Sequence, residues 1–119
     1  TPLYSSAASD VYKRQVLFYE DQSVVEGLQK AFPSYSENFP VWSQHTSAMH
    51  QFAIWTMLEE VGFGASLQHY NPIIDEEVAK SFSIDAKWKL IAQMPFGTPT
   101  SEPAPKEFQP LEERVVVFK

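Results

Sequence analysis

Glycines and polar side chains are concentrated in the segment GFGASLQHYNP, which covers residues 62 to 72. Gly62 and Gly64 can adopt positive φ and let another backbone or a ligand approach closely. Hydroxyl, amide and imidazole groups follow directly, and each can form hydrogen bonds with a bound molecule. The sequence therefore predicts either an irregular corner between two helices or a binding site at this point.

The histidines and serines do not match a known metal or nucleophile pattern. His45 and His50 are five residues apart, which points them to different faces of a helix, and the H-x-x-x-H spacing is absent. Ser66 does not lie in a G-x-S-x-G nucleophile elbow. We therefore predict structural histidines, no metal site and no serine triad.

Two acidic groups could supply an acid and a base, at residues 59 to 60 and 75 to 77. Both lie at predicted helix ends, where solvated carboxylates are common. The segment GFGAS lacks the Lys-Ser/Thr of a P-loop and the G-x-G-x-x-G spacing of a dinucleotide fold. The residues alone therefore predict neither a catalytic carboxylate nor a nucleoside triphosphate site.

The composition is that of one globular domain. The chain has 119 residues, of which 44% are hydrophobic and 14% aromatic, enough to form a core. Its net charge of -6 disfavours a nucleic-acid surface, which needs clustered Lys and Arg. The lack of cysteine suits a reducing cytoplasm, and no apolar run is long enough to cross a membrane. We therefore expect a soluble cytoplasmic protein without a nucleic-acid or membrane partner.

Two regions can be distinguished, residues 1–15 and residues 16–119. The first has no sustained helical or strand periodicity and resembles a translated adaptor or assembly artefact. A disordered native tail is the alternative. We therefore interpret residues 1–15 as a non-native or disordered leader and assign the fold to residues 16–119.

The first half of the folded region predicts a strand and two helices. Val16 to Tyr19 read as a strand, followed by a helix that Asp21 or Ser23 can cap, with a Ser23–Glu26 capping box, and that Pro33 ends. The second helix follows a loop over SYSENFPVW and stops at Gly62. It is apolar on more than one side, so we expect it to be central or at a subunit interface. Its main apolar face is predicted to comprise Met49, Phe52, Ala53, Met57 and Val61.

The second half predicts a short helix and two strands. Asn71 is a candidate cap with Pro72 in the first turn of a helix that ends near Phe82. A strand over residues 88 to 96 precedes a proline-rich arm over residues 98 to 110, and RVVVFK is predicted as a last strand. That strand can pair far away, even on a second subunit. The expected fold is α+β, a small mixed sheet with flanking helices.

Several segments in order resemble the C-terminal half of the nitroreductase family. They are VLFYEDQ, NFPVWS, GFGASLQHYNPIIDEEVAKSF, WKLIAQMPFG and LEERVVVFK, and the resemblance covers residues 16–119. It implies a nitroreductase-like α+β fold and an FMN-dependent, homodimeric enzyme. Such an enzyme takes hydride from NAD(P)H and passes it to nitroaromatic compounds or quinones, with the flavin rather than a side chain as the redox group.

The resemblance also assigns roles to residues. It implies that the segment after Gly62 packs against the isoalloxazine ring, and that Arg114 binds the FMN phosphate, which suits the guanidinium fork. Trp42 is expected on the substrate side or at the dimer interface, with ordinary core packing as the alternative. The flavin-contacting candidates are Gly64, Ala65, Ser66, Leu67, Gln68 and His69.

The chain also departs from the family pattern. The family's first half carries an arginine pair and a Ser/Asn/Gln segment that bind the cofactor, and residues 1–15 reproduce neither. We therefore expect this chain to be a fragment of the enzyme. The alternative function is a noncatalytic regulatory or interaction module that keeps the fold without holding flavin.

Overall fold

The computed structural model describes residues 14–119 and has an α+β fold. The leader predicted for residues 1–15 lies largely outside the described residues, although Gln15 already belongs to the first strand. The elements in chain order are β1 (Gln15–Asp21), α1 (Gln22–Ala31), a 3-10 helix (Pro33–Tyr35), α2 (Asn38–Glu60), β2 (Gly64–Ala65), α3 (Asp75–Phe82), β3 (Trp88–Gly97) and a 3-10 helix (Leu111–Glu113).

The start of α1 follows one of the two predicted caps. The Asp21 carboxylate accepts a hydrogen bond from the Ser23 amide at 2.9 Å and so satisfies one free donor of the first turn. The predicted capping box does not form, because Asp21 is the N-cap and Ser23 already lies in the first turn. Glu26 pairs with Lys87 on the loop before β3, at 3.3 Å between Oε2 and Nζ. The helix ends before Pro33, as predicted.

β3 is the central strand of a three-stranded sheet with the order β1-β3-β2. Both neighbours run antiparallel to it, so the described part of the sheet is antiparallel and not mixed as predicted. A bulge interrupts the β1 pairing between Phe18 and Tyr19. Phe18, Ala92 and Met94 are buried on the face of the sheet that meets α2, and they form the centre of the core.

α2 packs on this core with one side of its broad apolar surface, in keeping with the prediction that it is apolar on more than one side. Ile54, Trp55 and Leu58 pack against the core, and Ser47 and Gln51 are buried on the same helix. Gln51 Nε2 donates to Ser47 Oγ at 3.0 Å, which satisfies both polar groups away from water. The other side of the helix is exposed in the described residues, and it carries the main apolar face predicted from the sequence: Met49, Phe52, Ala53, Met57 and Val61.

Two helix boundaries also differ from the prediction. α2 begins at Asn38, so most of the predicted loop before it is helical. α3 begins at Asp75, because residues 71 to 74 form a turn in which the Pro72 carbonyl accepts the Asp75 amide at 3.1 Å. The Asn71 side chain accepts a hydrogen bond from Gln93 and is therefore not the helix cap. The predicted end near Phe82 is confirmed.

The last strand predicted over residues 114 to 119 does not form within the described residues. The proline-rich arm is exposed, and the 3-10 helix over Leu111–Glu113 precedes an exposed, extended end. A strand requires a hydrogen-bonded neighbour, and this segment pairs with none of the three strands of residues 14–119. Its side chains Val116, Val117 and Phe118 are exposed.

Candidate functional site

Residues 64 to 69 run along one side of β3. β2 pairs with the end of β3, and the ladder continues past it: the Ser66 amide donates to the Pro95 carbonyl at 3.1 Å. Gln68 and Gln93 then exchange two backbone hydrogen bonds of 2.8 and 2.9 Å. The structure thus brings the six predicted flavin-contacting residues into one extended segment.

The outer edge of this segment has backbone groups that pair with no strand of residues 14–119. In an antiparallel ladder, successive residues direct their N–H and C=O groups alternately to the two sides. Because Ser66 and Gln68 bond to β3, Ala65 and Leu67 direct theirs away from the sheet. Their side chains pack against the core, so the edge is anchored while its backbone donors and acceptors remain available.

The two glycines of the segment have different roles. Gly62 follows the end of α2 with φ +94°. This conformation is difficult for any residue with a Cβ, so a glycine suits the position. Gly64 has no positive φ, and a Cβ there would meet Pro99 Cβ at 3.4 Å, an ordinary contact. Of the two conformational roles open to these glycines, Gly62 uses positive φ, whereas Gly64 lies close to Pro99 without it.

Gln93 is a site residue that the sequence analysis missed. It is 1% exposed, and its side chain reaches the turn that follows residues 64 to 69. Oε1 accepts the Tyr70 amide at 2.7 Å, and Nε2 donates to Asn71 Oδ1 at 3.0 Å. A sequence signal did exist: one glutamine interrupts the apolar run LIAQMPF, and a buried amide needs partners.

His69 is the most accessible of the six residues. It is exposed, whereas the other five are partly buried. It lies between two anchored backbone positions, Gln68 on the Gln93 backbone and Tyr70 on the Gln93 side chain. The backbone at His69 is therefore held from both sides while its imidazole is open to solvent.

Arg114 lies in the exposed C-terminal part, directly after the 3-10 helix over Leu111–Glu113. Its Nε donates to the Gln109 carbonyl at 3.0 Å. Within the described part of the chain, no carboxylate lies within salt-bridge distance of the guanidinium. The two terminal nitrogens are therefore able to receive an anionic ligand.

Trp42 belongs to a surface cluster of four aromatic side chains. Its ring centroid lies 5.4 Å from that of Phe39 in an edge-to-face arrangement and 6.0 Å from that of Tyr35. Phe32 extends the cluster through Phe39. Trp42 is 44% exposed, which excludes full burial in the core of the described residues. We call Phe32, Tyr35, Phe39 and Trp42 the aromatic cluster.

An open cleft of about 420 Å³ adjoins the segment at Asn71. Lys89 and two side-chain amides give it polar groups, and residues of α2 and β3 give it apolar walls. It is lined by Pro40, Val41, Gln44, Asn71, Lys89, Leu90 and Ile91.

Tyr19 lies on β1 near the carboxylate of Asp75. Partial burial and, to a lesser extent, the nearby Asp75 carboxylate raise the pKa of Tyr19 above its ordinary value of 10.0. Oδ1 of Asp75 is buried without a hydrogen-bond partner among the described residues. Tyr19 therefore stays protonated at neutral pH.

Residues 14–119 contain no group of three or more His, Asp or Glu side chains placed to hold a metal ion. In the same residues, no helix has the length and apolar character needed to cross a membrane.

Two yeast proteins are similar in sequence to this chain, and no family model matches it. HBN1 of Saccharomyces cerevisiae is 38% identical over 103 residues, which cover 87% of this chain and 52% of that protein. The nitroreductase FRM2 of the same organism is 38% identical over 93 residues, which cover 78% of this chain and 47% of that protein. The chain thus spans about half the length of these relatives.

A bacterial protein of known structure is similar in both sequence and fold. The nitroreductase CinD of Lactococcus lactis is 46% identical to this chain with a TM-score of 0.84, covering 88% of this chain and 55% of CinD. CinD has been solved in complex with nicotinic acid, 4-nitrophenol and chloramphenicol.

Proposed function

Because this chain belongs to the nitroreductase family and matches its C-terminal part, we propose that it forms part of an FMN-dependent oxidoreductase. The proposed enzyme takes hydride from NAD(P)H and reduces nitroaromatic compounds or quinones. The observation that carries this proposal is the anchored segment of residues 64 to 69, whose outer backbone edge is free in a chain 46% identical to CinD.

The outer edge fits the heterocycle of FMN. An isoalloxazine ring carries hydrogen-bond acceptors and one N–H donor along its polar side, and the backbone groups of Ala65 and Leu67 include both donors and acceptors. Side chains of Ser66 and Gln68 lie on the other face of this strand and add further polar groups. The residues present therefore fit a flat, hydrogen-bonding ring placed beside them.

Arg114 is the proposed phosphate contact. Its terminal nitrogens can form two parallel hydrogen bonds with phosphate oxygens, while the Gln109 carbonyl holds Nε. The chain carries a net charge of -6, so a guanidinium without a carboxylate partner among residues 14–119 is an attractive point for a dianion. Arg114 and the 64 to 69 segment are thus assigned opposite ends of the same cofactor.

Bound FMN would supply the hydride chemistry, and the protein residues would bind and orient the reactants. The fixed backbone of Ala65 and Leu67 would set the position of the ring edge. His69 is open to solvent and would line the edge of the site, without an assigned proton transfer. No side chain of residues 14–119 is assigned a nucleophilic role.

The aromatic cluster is the proposed contact for the ring of the substrate. CinD binds 4-nitrophenol and chloramphenicol, both of which contain a nitroaromatic ring. Edge-to-face and offset contacts between aromatic rings are favourable by about 0.5–1.5 kcal/mol. Trp42 and its neighbours present partly exposed rings suited to such contacts.

We also propose that the protein is a homodimer. In α2, large apolar side chains face away from the core, and Met49 and Phe52 are 65% and 68% exposed. An apolar helical face of this kind is typical of an interface. A second copy would cover it and bring the proposed site next to a neighbouring subunit.

A flavin titration tests the proposed function. The full-length protein that contains this chain, purified and freed of flavin, should bind FMN with saturation and then oxidise NADH or NADPH faster when 4-nitrophenol or a quinone is added. Free FMN at the same concentration is the control for non-enzymatic turnover. A folded protein that remains colourless and leaves FMN fluorescence unchanged would instead support the noncatalytic module.

A further inference from the structure

We propose that Gln93 is a positioning residue, whose buried amide holds residues 68 to 71 so that the outer edge of residues 64 to 69 stays open for the cofactor. This inference rests on the proposed function for the identity of the ligand. The positioning itself rests on the contacts of Gln93 alone.

Gln93 contacts the segment through both its backbone and its side chain. Its amide and carbonyl exchange hydrogen bonds of 2.9 and 2.8 Å with Gln68. Its side chain then accepts from the Tyr70 amide at 2.7 Å and donates to Asn71 Oδ1 at 3.0 Å. One residue of β3 therefore fixes three of the four positions from 68 to 71.

The chemistry at this position requires an amide. The Tyr70 backbone N–H is a donor, so Oε1 must face it and Nε2 must face Asn71. This in turn directs Oδ1 of Asn71 inward and leaves its Nδ2 as a donor facing away from Gln93. A methionine of similar length would satisfy neither partner, and an ionised glutamate would keep the acceptor but lose the donor.

His69 lies between these contacts and is held only through its neighbours Gln68 and Tyr70. Because Gln68 and Tyr70 are both held by Gln93, loss of the side-chain bonds frees the chain on the C-terminal side of the proposed edge. The ladder bonds of Ser66 and Gln68 remain, so the expected change is local. The outer edge of residues 64 to 69 would then sample several positions. The conformational entropy lost when a ligand orders this edge would weaken binding.

The experiment compares Gln93→Met with Gln29→Met in the full-length protein that contains this chain. Gln29 is a matched control, since its Nε2 also pins a loop by donating to the Ser36 carbonyl at 2.7 Å, outside the proposed site. Amide hydrogen exchange followed by NMR reports on each backbone position. An FMN titration of the same proteins reports on the ligand.

For Gln93→Met we expect the Tyr70 amide to exchange at least about tenfold faster, with β1 amides unchanged, and FMN affinity to fall about tenfold. Gln29→Met should change neither. Unchanged exchange at Tyr70 would overturn the proposal, as would faster exchange with wild-type FMN affinity. If the full-length wild-type protein does not bind FMN, the proposed function fails, while the exchange data still decide whether Gln93 holds the segment.

Gln93→Glu covers the case in which the methionine variant does not fold. It keeps the side-chain length and the acceptor for the Tyr70 amide, so protection at Tyr70 should be partly retained. Combining it with Asn71→Asp places two acceptors against each other and removes every donor between them. The exchange rate of the Tyr70 amide should rise in the double variant by more than the product of the two single-variant increases. An increase equal to that product would contradict the proposed contact.

Discussion

The guanidinium of Arg114 is held at Nε by the Gln109 carbonyl and keeps its terminal nitrogens free for a ligand. We predict that Arg114→Ala weakens FMN binding about ten- to hundredfold, because a charge-assisted bidentate contact is lost. Arg114→Lys should recover part of the affinity, since it keeps the charge and loses the fork. Lys106→Ala, in the same exposed arm, is the control.

Riboflavin separates the phosphate contact from the ring contacts in this titration, because it lacks the phosphate. The full-length wild-type protein should prefer FMN to riboflavin, and Arg114→Ala should remove most of that preference. Wild-type preference in the alanine variant would contradict the phosphate assignment.

A second prediction concerns the carboxylate that caps α1. Hydrogen bonds from Ser23 hold the pKa of Asp21 below its ordinary value of 3.8. The depressed pKa contributes stability that is present above the ordinary value and is lost as pH falls through the lowered folded-state value. Below about pH 4, the thermal unfolding midpoint should therefore fall less steeply with decreasing pH in Asp21→Asn than in the wild type. Glu102→Gln, in the exposed arm, should keep the wild-type slope.

At single positions, the sequence revealed the glycine and capping roles better than the polar contacts inside the fold. The helix stop at Gly62 and the cap at Asp21 are confirmed because both depend on neighbouring residues only. The role of Gln93 depends on Tyr70 and Asn71, more than twenty residues earlier, and local periodicity carries no information about such contacts. The proposed ligand contacts of residues 64 to 69 and Arg114 stay predictions.

Two glycines in different elements give a third prediction. Gly62 ends α2 with φ +94°, whereas Gly27 lies inside α1, and a Cβ added at either glycine would meet no atom within 4 Å. Gly62→Ala should destabilise the chain by roughly 1–2 kcal/mol, because only the backbone conformation is penalised. Gly27→Ala should stabilise it by roughly 0.5–1 kcal/mol through helix propensity. Urea unfolding of both variants measures the difference, and equal effects would contradict the backbone explanation.

The orientation of α2 on the sheet could not be predicted from the sequence. Its existence and its end were predictable, but the helix carries apolar residues on all sides. Periodicity therefore could not choose the face that meets the sheet. The structure buries Ser47 and Gln51, which satisfy each other, and exposes Met49 and Phe52 instead. A polar pair spaced four residues apart can thus occupy an inner face when its hydrogen bonds are complete.

Across the whole molecule, the balance of buried and exposed side chains favours association. In residues 14–119, five hydrophobic side chains are buried and twenty large ones are exposed. The overall α+β class and the antiparallel neighbours of β3 come from the chain itself. The proposed covering of α2 and a strand partner for residues 114 to 119 stay predictions, because each needs atoms outside the described part.

The fourth prediction tests that interface. Phe52→Glu places a charge on the exposed apolar face of α2 and should weaken self-association by at least about tenfold, because an unpaired carboxylate would be buried. Ile73→Glu is the control, since Ile73 is 91% exposed and lies in the turn before α3. Sedimentation velocity over a concentration series measures both. A Phe52→Glu protein that dimerises like the wild type would show that the interface lies elsewhere.

The exposed end of the chain carries a hazard that depends on Arg114. Val115 to Phe118 form an uncharged run of high β-propensity without proline, a composition prone to stacking into intermolecular sheets. Arg114 and Lys119 flank this run, in the positions where charged residues suppress aggregation. The arginine assigned to the cofactor phosphate thus also protects solubility, so neutralising it would favour precipitation even when no flavin is present.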